Sequence, residues 1–482
     1  MSKQFWFIAG SQLLYGEETL LQVEKNSKEM AGYLNEKLPF PVAYKSTVKS
    51  ENDAFDIIGQ VNFDGNCAGV IVNCHTFSPS KMWIGALKSL QKPYLHLHTQ
   101  FNRAIPNAEI DLDYMNLHQS AHGDREHGFI AARLGVAREI VAGHFKDADV
   151  LDKIGNWQRA SIGAAFSKAL KVARFGDNMR EVAVTEGDKV EAQLKFGWQV
   201  NTYGVGGLVE EINSVSDSEV DAKISEYRSA YDFSTDDIQT VRYQAREEIA
   251  IWKILDRENC KAFTNTFEDL YGMEQLPGLA TQNLMAQGVG YGGEGDWKVS
   301  ALTAIAKAMS DEPSSFMEDY TYDYDAGLIL GAHMLEVCPT IASDKPRIEV
   351  HALGIGGKNP PARLVFKGRA GAATAAVLVD MGAHFRLICA DVVCVEPIST
   401  YPNLPVARTM WKPLPDLKVG AAAWIRAGGA HHTVLSYGVT ADIWRSWARI
   451  VGVEFVHIGA HTDLNALERD LALGEILWKF KS

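Results

Sequence analysis

Strand-like and helical stretches alternate through the first 170 residues, and this alternation constrains the fold more than any other feature of the chain. The apolar runs are QFWFIAG (4–10), VAYKS (42–46), AGVIVNC (68–74), YLHLH (94–98) and EIVAGH (139–144). Such alternation predicts a parallel sheet with helices on its faces. Ligands of these sheets contact the loops that follow the C-terminal ends of strands. We therefore expect GSQLLYG (10–16), HTFSPSKMW (75–83) and HTQFN (98–102), which follow strands, to lie at the functional edge.

The pattern changes twice more along the 482 residues, a length that favours two or three domains. A second alternating unit has KVARFGD, WQVNTYG and KAFTNTF as strands and long helices at 217–231 and 235–255. Its last helix is expected to begin at the cap Asp296. Beyond Pro313, HALGIGG (351–357), ARLVFKG, ATAAVLVDM and FRLICADVVCVE predict a mainly antiparallel β domain, which ends in a strand (VEFVHI) and a helix (LNALERDLALGEIL). The predicted domains are 1–170, 171–313 and 314–482.

Charge and cysteine usage exclude several classes of partner. The net charge is -13, and no cluster of Lys and Arg offers a site for a polyanion, so we expect neither nucleic acid nor an anionic membrane as a partner. The six cysteines are dispersed without a CxxC pair and are expected to be reduced core residues. We find neither a signal peptide nor a run of eighteen apolar residues, which favours a cytoplasmic location.

Two carboxylates and two imidazoles stand in unusual segments: Glu294 in GGEGDWK, Glu318 in SSFMEDYTYDY, His333 in GAHMLEVCP and His432 in AGGAHHTV. Two oxygen and two nitrogen ligands without a thiolate suit a divalent ion such as Mn²⁺, Co²⁺ or Mg²⁺ better than a closed zinc site. An ion that prefers six ligands would keep two positions open. Those positions suit the adjacent carbonyl and hydroxyl oxygens of an open-chain sugar.

Each of these residues also has a simpler interpretation. Glu294 alone fits a solvated loop glutamate, and His333 alone fits a core histidine bonded to a backbone carbonyl. Strand alternation would put Glu318 on one face with Tyr320 and Tyr322, where a carboxylate needs a partner or a metal. In an extended AGGAHHTV segment only one of the two adjacent histidines can face the site, and the residues alone do not decide which one.

The segments around the four residues resemble those of L-arabinose isomerases, and the resemblance extends along most of the chain. Further matching segments are GSQLLYG, HTFSPSKMW, HTQFN, AHGDRE (121–126), RFGDNMREVAVTEGDKV (174–190), TFEDLYG (266–272) and LGIGGK (353–358). Their order and spacing match from the first strand to the last fifty residues. The resemblance implies a fucose isomerase-like architecture, with two Rossmann-like parallel-sheet α/β domains followed by a mainly antiparallel β C-terminal domain.

The resemblance also implies a function and a set of site residues. The reaction is the conversion of L-arabinose to L-ribulose, with D-galactose to D-tagatose as a side activity, through an ene-diol and with Mn²⁺, Co²⁺ or another divalent ion. Glu294 and Glu318 are the acid/base pair as well as metal ligands, and His333 and His432 complete the ligand set. The substrate contacts are Gln12, Leu14, Gln119, His122, Met179, Phe267 and His431. The partner is a small aldose or ketose, and the assembly is a homo-oligomer, a trimer or a hexamer.

Two other functions remain open at this point. A metal-dependent hydrolase also uses Glu and His around a divalent ion, but it usually needs an activated water and often a second metal, and no further His- or Asp-rich cluster supports one. A metal-free sugar-binding protein is the alternative outside enzymology, because solute-binding folds are also built from alternating α/β units. Bound metal would exclude the binding protein, and sugar turnover without hydrolysis would exclude the hydrolase.

Overall fold

The computed structural model describes residues 3–480, and the chain divides into two compact units, Met1–Ala165 and Phe166–Ser482. Each unit is described by itself below. The three-domain division with boundaries near 170 and 313 stays a prediction.

The first unit is a parallel α/β layer structure, as the sequence predicts. Its strands pair in parallel in the order β2-β1-β3-β4-β5. Ile8, Val70 and Val72 on the sheet pack with Ile57 and Ile130 on helices, so the apolar runs form the core between the layers. The strands are β1 Gln4–Gly10, β2 Val42–Val48, β3 Cys67–Cys74, β4 Tyr94–His98 and β5 Glu139–Ala142. The helices are α1 Gly16–Lys37, α2 Glu51–Phe63, α3 Ile84–Ser89, α4 Leu112–Leu117, α5 Ser120–Arg133 and α6 Ala148–Ser167.

The second unit begins with another parallel sheet, β6 Lys171–Phe175, β7 Gln199–Tyr203, β9 Ala262–Asn265 and β10 Gly290–Gly292, in the order β10-β9-β6-β7. The last helix of this part begins after Asp296, whose side chain accepts a hydrogen bond from Val299 N at 3.2 Å, which confirms the predicted cap. The remaining elements are α7 Lys189–Phe196, α8 Val205–Ser214, α9 Asp217–Ala230, the short strand β8 Asp232–Phe233, α10 Ile238–Glu258, α11 Gly278–Ala286 and α12 Trp297–Met309.

The C-terminal part of this unit is a mainly antiparallel sheet, as predicted. Strands pair in the order β15-β18-β11-β12-β17-β16, and β15 also pairs with β16, so six antiparallel strands form a closed ring. β19 joins β16 in parallel. The strands are β11 Ser314–Asp323, β12 Leu328–Ala332, β15 Gly371–Asp380, β16 Phe385–Val395, β17 Arg408–Pro413, β18 His432–Ser436 and β19 Glu454–Ile458. The helices are α13 Leu417–Ala427, α14 Ala441–Val451 and α15 Leu464–Lys479.

One predicted strand is wrong. HALGIGG (351–357) is a loop, and the strand before it, β13 Arg347–Val350, pairs with β14 Ala362–Val365 and with β8 in a small separate sheet. Gly356 and Gly357 have φ angles of 77° and 59°, in the left-handed region, where a strand cannot continue.

The prediction for the cysteines is confirmed: all six are buried and free. Among the residues that the structure describes, no helix is both long and apolar enough to cross a membrane.

Candidate active site

Glu294 lies in a tightly held loop between β10 and α12. Its φ angle is 60°, a left-handed conformation that costs a non-glycine residue about 1–3 kcal/mol and often occurs at functional sites. Three hydrogen bonds hold this backbone: Met179 N donates to Glu294 O at 2.9 Å, Gly295 N donates to Asn265 O at 3.0 Å, and Asn178 Nδ2 donates to Gly295 O at 3.2 Å. The loop therefore fixes the direction in which the carboxylate leaves the backbone.

The glycines beside Glu294 are required by close packing. A Cβ at Gly293 would lie 3.1 Å from His333 Nε2, one of the candidate ligand atoms, and would press on that ring. Gly295 has a φ of 81°, and a Cβ there would lie 2.4 Å from Asn178 Cα. The GGEG sequence thus lets the loop approach both the imidazole and the neighbouring backbone.

Three neighbouring strands of the ring bring the other candidate ligands to this loop. In the pairing register Glu318 on β11 lies opposite His432, the first residue of β18, and on its other side opposite Ala332, which precedes His333. Ligand atoms of Glu294, His333 and His432 all lie within 4.8 Å of one another. Glu318 stands at the edge of this group, with Oε2 4.0 Å from His333 Nε2.

His432 is the most deeply placed of the four. Its side chain is 0% exposed, Nε2 lies 3.9 Å from Glu294 Oε2, and neither ring nitrogen has a hydrogen-bond partner in the described structure. An unpaired, buried polar atom is expensive unless something binds it. The free Nε2 beside a carboxylate is what a metal-ligating imidazole requires, so the residues present fit a divalent ion.

The restriction to one of the adjacent histidines assumed an extended segment, but β18 begins only at His432, so both can approach the site. His431 Nε2 lies 3.4 Å from Glu294 Oε2, so both imidazoles approach the same carboxylate oxygen. His431 precedes the first residue of β18, so strand alternation does not apply to it. The two differ in environment, since the His431 side chain is 36% exposed and that of His432 is fully buried.

Burial and neighbouring charges shift the carboxylate pKa values in opposite directions. Burial acts to raise the pKa of Glu294, but the hydrogen bond from His431 and the nearby imidazoles outweigh it and leave that pKa below its ordinary value. Burial raises the pKa of Glu318, with only partial compensation from His333 and His431. Burial also lowers the pKa of His432. Burial at the site therefore disfavours the charged forms of Glu318 and His432.

Family models of L-arabinose isomerase match the chain in three consecutive parts. The N-terminal domain model matches residues 1–169, the central domain model 171–312 and the C-terminal domain model 313–454. The chain belongs to the L-arabinose isomerase family. The three matches include every candidate residue of the site.

Full-length relatives agree with this assignment. The chain is 54% identical to an L-arabinose isomerase of Anoxybacillus flavithermus over 98% of this chain and 97% of the relative. It is 53% identical to that of Geobacillus kaustophilus, over 99% and 98% of the two chains. It is 50% identical to that of Thermotoga petrophila, over 98% of each chain.

The candidate site of this L-arabinose isomerase family member faces a cavity of about 190 Å³. Its polar lining includes Glu294, Glu318, His333 and Asn265. Glu336 also lines it, and the rest of the lining is apolar or aromatic, which suits packing on sugar C–H groups and the exclusion of water. These residues are Phe267, Leu276, Pro277, Tyr291, Tyr320, Met334, Leu335, Leu353 and Ile355. Phe267 thus lines the cavity, and its contact with substrate stays a prediction.

The prediction that Tyr322 shares a face with Glu318 and Tyr320 is wrong. The register between β11 and β12 shifts after Asp319, because Tyr320 has no opposite residue in the ladder. Such a bulge reverses the alternation beyond it. Tyr322 consequently donates to Asp319 Oδ2 at 2.9 Å, on the side away from Glu318, while Tyr320 stays at the cavity.

Two buried carboxylates behind the histidines were not predicted from the sequence as part of the site. Glu336 Oε2 lies 2.6 Å from His333 Nδ1, and Asp296 Oδ2 lies 3.5 Å from His432 Nδ1. The Asp296 prediction concerned only its role as a helix cap. The spacing of Glu336, three residues after His333 in an apolar segment, is the signal that could have identified it.

The other predicted substrate contacts divide between the units. Met179 holds the Glu294 backbone from within the second unit, whereas Gln12, Leu14, Gln119 and His122 belong to the first. Within the first unit the Tyr15 hydroxyl donates to Gln119 Oε1 at 3.0 Å, which joins GSQLLYG to the start of α5. Leu14 is 86% exposed and His122 is also exposed.

Proposed function

We propose that this chain converts L-arabinose to L-ribulose, with D-galactose to D-tagatose as a side activity, at the site formed by Glu294, Glu318, His333 and His432. The observation that carries the proposal is the convergence of Glu294, His333 and His432, whose ligand atoms lie within 4.8 Å of one another beside a cavity lined by Glu294, Glu318 and His333. Membership of the L-arabinose isomerase family supports the choice of substrate.

The proposal includes a divalent ion, Mn²⁺ with Co²⁺ or another ion as a substitute, held by the two glutamates and the two histidines. When bound, such an ion acts as a Lewis acid that lowers the pKa of a sugar hydroxyl and stabilises negative charge on the neighbouring oxygens. The unpaired Nε2 of His432 supports this assignment, because no group in the described structure satisfies it.

The chain's own carboxylates move the protons. One of Glu294 and Glu318 takes the proton from C2 of the open-chain aldose and returns it to C1, and the other moves a proton between the C1 and C2 oxygens, through an ene-diol. The hydrogen bond between His431 and Glu294 orients that carboxylate, and His431 lies close enough to contact a bound sugar. Phe267 and Tyr320 limit the access of water to the reacting carbons.

Several finer features belong to the same proposal. They are a fucose isomerase-like architecture with domains at 1–170, 171–313 and 314–482, a trimer or hexamer of identical chains, and a cytoplasmic location. Gln12, Leu14, Gln119, His122, Met179 and Phe267 are proposed to contact the sugar.

A panel assay tests the function. Chelated protein is supplied with Mn²⁺, and ketose formation is measured on L-arabinose, D-galactose and other aldoses, together with metal content. We expect Mn²⁺-dependent L-ribulose formation as the fastest reaction. Ketose formation without metal, or hydrolysis of a glycoside in place of isomerisation, would refute the proposal.

A neighbouring carboxylate provides the matched control. Glu318→Gln should abolish most turnover, whereas Asp319→Asn should retain it, because Asp319 lies beyond the cavity face and bonds to Tyr322. Asp319→Asn keeps the size of the side chain and an oxygen that can accept the hydrogen bond from Tyr322. Equal losses in the two variants would argue against a specific role of Glu318.

A further inference from the structure

The second ring nitrogen of His333 has a partner of its own. Nδ1 lies 2.6 Å from Glu336 Oε2, and the Glu336 side chain is only 7% exposed. The Tyr291 hydroxyl lies 3.4 Å from the other carboxylate oxygen, Oε1. Opposite a carboxylate that accepts this short hydrogen bond, Nδ1 carries the proton. In the neutral imidazole, the form that binds a metal ion, Nε2 then keeps a free lone pair.

The free nitrogen is the one that faces the candidate metal site. His333 Nε2 lies 4.0 Å from Glu318 Oε2, and a Cβ added at Gly293 would lie 3.1 Å from the same nitrogen. Phe316 packs against the ring with centroids 4.8 Å apart. Packing limits where the ring lies, but it does not distinguish the two tautomers. The hydrogen bond to Glu336 supplies that distinction.

The other histidine has a related but weaker arrangement. His432 Nδ1 lies 3.5 Å from Asp296 Oδ2, which is longer than a good hydrogen bond. Asp296 also accepts from Val299 N and lies 3.6 Å from Lys298 Nζ, so its carboxylate is shared among several partners. The strong histidine–carboxylate pair of the site is the one between His333 and Glu336.

We propose that Glu336 is a positioning residue for the metal centre: it accepts the Nδ1 proton of His333 and thereby fixes the tautomer and the ring orientation that present Nε2 to the ion. This inference rests on the proposed function, in which His333 is a ligand. Carboxylates that orient metal-bound histidines typically change metal affinity or activity by about 10- to 100-fold when they are mutated.

A purely structural role for Glu336 makes a different prediction. Arg363 is the nearby buried cation whose charge Glu336 offsets, but its guanidinium donates to the backbone oxygens of Met334 and His351, so it has partners of its own. If Glu336 served only to offset this charge, its replacement would lower the stability of the metal-free protein and leave the affinity for metal unchanged.

The test uses two variants of the full chain and one control. Glu336→Gln keeps the size and removes the charge, and Glu336→Asp keeps the charge but is one methylene too short for the contact. Glu349→Gln breaks a similar pair in the same unit, in which Glu349 Oε2 lies 2.8 Å from His351 Nε2. Each protein is chelated, its folding is checked by circular dichroism, and Mn²⁺ is titrated by calorimetry.

We expect both Glu336 variants to bind Mn²⁺ about 10- to 100-fold more weakly than the wild type, and Glu349→Gln to stay within about threefold of it. The visible absorption of bound Co²⁺ should change in the Glu336 variants, because the imidazole ligand is no longer held in one orientation. Wild-type Mn²⁺ affinity with an unchanged Co²⁺ spectrum in both variants would overturn the inference. A wild-type protein that binds no Mn²⁺ would instead overturn the proposed function beneath it.

Discussion

Replacement of the two adjacent histidines, one at a time, distinguishes the proposed metal ligand His432 from His431, which is not proposed to bind the metal. His432 is fully buried with an unpaired Nε2 and has no other role in the described structure that a hydrogen bond would reveal. Loss of a residue that only hydrogen-bonds to a metal ligand costs about 10- to 100-fold in metal affinity, so loss of the ligand itself should cost about 100-fold or more. His432→Ala should therefore bind Mn²⁺ at least that much more weakly, and its activity should fall with the metal content.

His431→Ala is the matched comparison. The structure gives its imidazole one contact with Glu294, at 3.4 Å, in a ring that is 36% exposed. A hydrogen bond to a charged group contributes about 1.5–3 kcal/mol at good geometry, and a long, partly solvated one contributes less. We expect a loss below about 1 kcal/mol, or about fivefold in Mn²⁺ affinity. Calorimetric titration of the chelated variants checks both values. If His431→Ala lost the metal and His432→Ala kept it, the ligand assignment would be reversed.

Three further predictions concern stability, turnover and pH. Chelation should lower the melting temperature reversibly, because Mn²⁺ at 100 times its Kd adds about 2.7 kcal/mol to the unfolding free energy. The chelated protein should keep the far-UV circular dichroism of a folded protein, because the sheets have their own cores. An unfolded chelated protein would contradict this. Glu294→Gln and Glu318→Gln should each reduce turnover by about 100-fold or more at saturating Mn²⁺, while sugar binding survives better. The hydrogen bond that the His98 ring donates to the Asp124 carboxylate raises the pKa of His98, so this contribution to stability is present below the unfolded-state pKa of about 6.5 and is lost as the pH rises through the folded value. His98→Gln should therefore lower the unfolding free energy more at about pH 5.5 than at about pH 8.5, as denaturant titrations at the two pH values can show; a larger loss at the higher pH would contradict the assignment.

The order of strands and helices along the chain could be predicted from the sequence, because the residues of each element favour the structure that it adopts. AGVIVNC is apolar except for Asn73 and forms the buried central strand β3, and Asp296 has the cap chemistry that begins α12. Those signals depend on residues close together in the chain. The closed ring of six strands could not be predicted, because it depends on the pairing of β18 with β11 and with β15, strands that lie far apart in the chain and whose pairing no local pattern specifies.

The candidate ligands could be identified as residue types, but their surroundings could not. The bulge at Tyr320 depends on how β12 pairs with β11, so simple alternation placed Tyr322 on the wrong face. His431 approaches Glu294 because β18 begins at the next residue, His432, so His431 is not part of the strand. The sequence does not mark this boundary. Glu336 is an exception, because its position three residues after His333 in an apolar segment is a local signal that could have identified it.

Isomerisation in D₂O tests the central claim most directly. Protein with Mn²⁺ converts L-arabinose, and deuterium at C1 of the L-ribulose is measured by NMR or mass spectrometry. Because Glu294 or Glu318 carries the proton from C2 to C1 in our account, we predict deuterium at C1, to an extent set by how well the cavity shields the carboxylate from water. A ketose without any deuterium at C1, formed by direct transfer of the C2 hydrogen, would contradict the account, since the glutamates would then not act as bases at carbon.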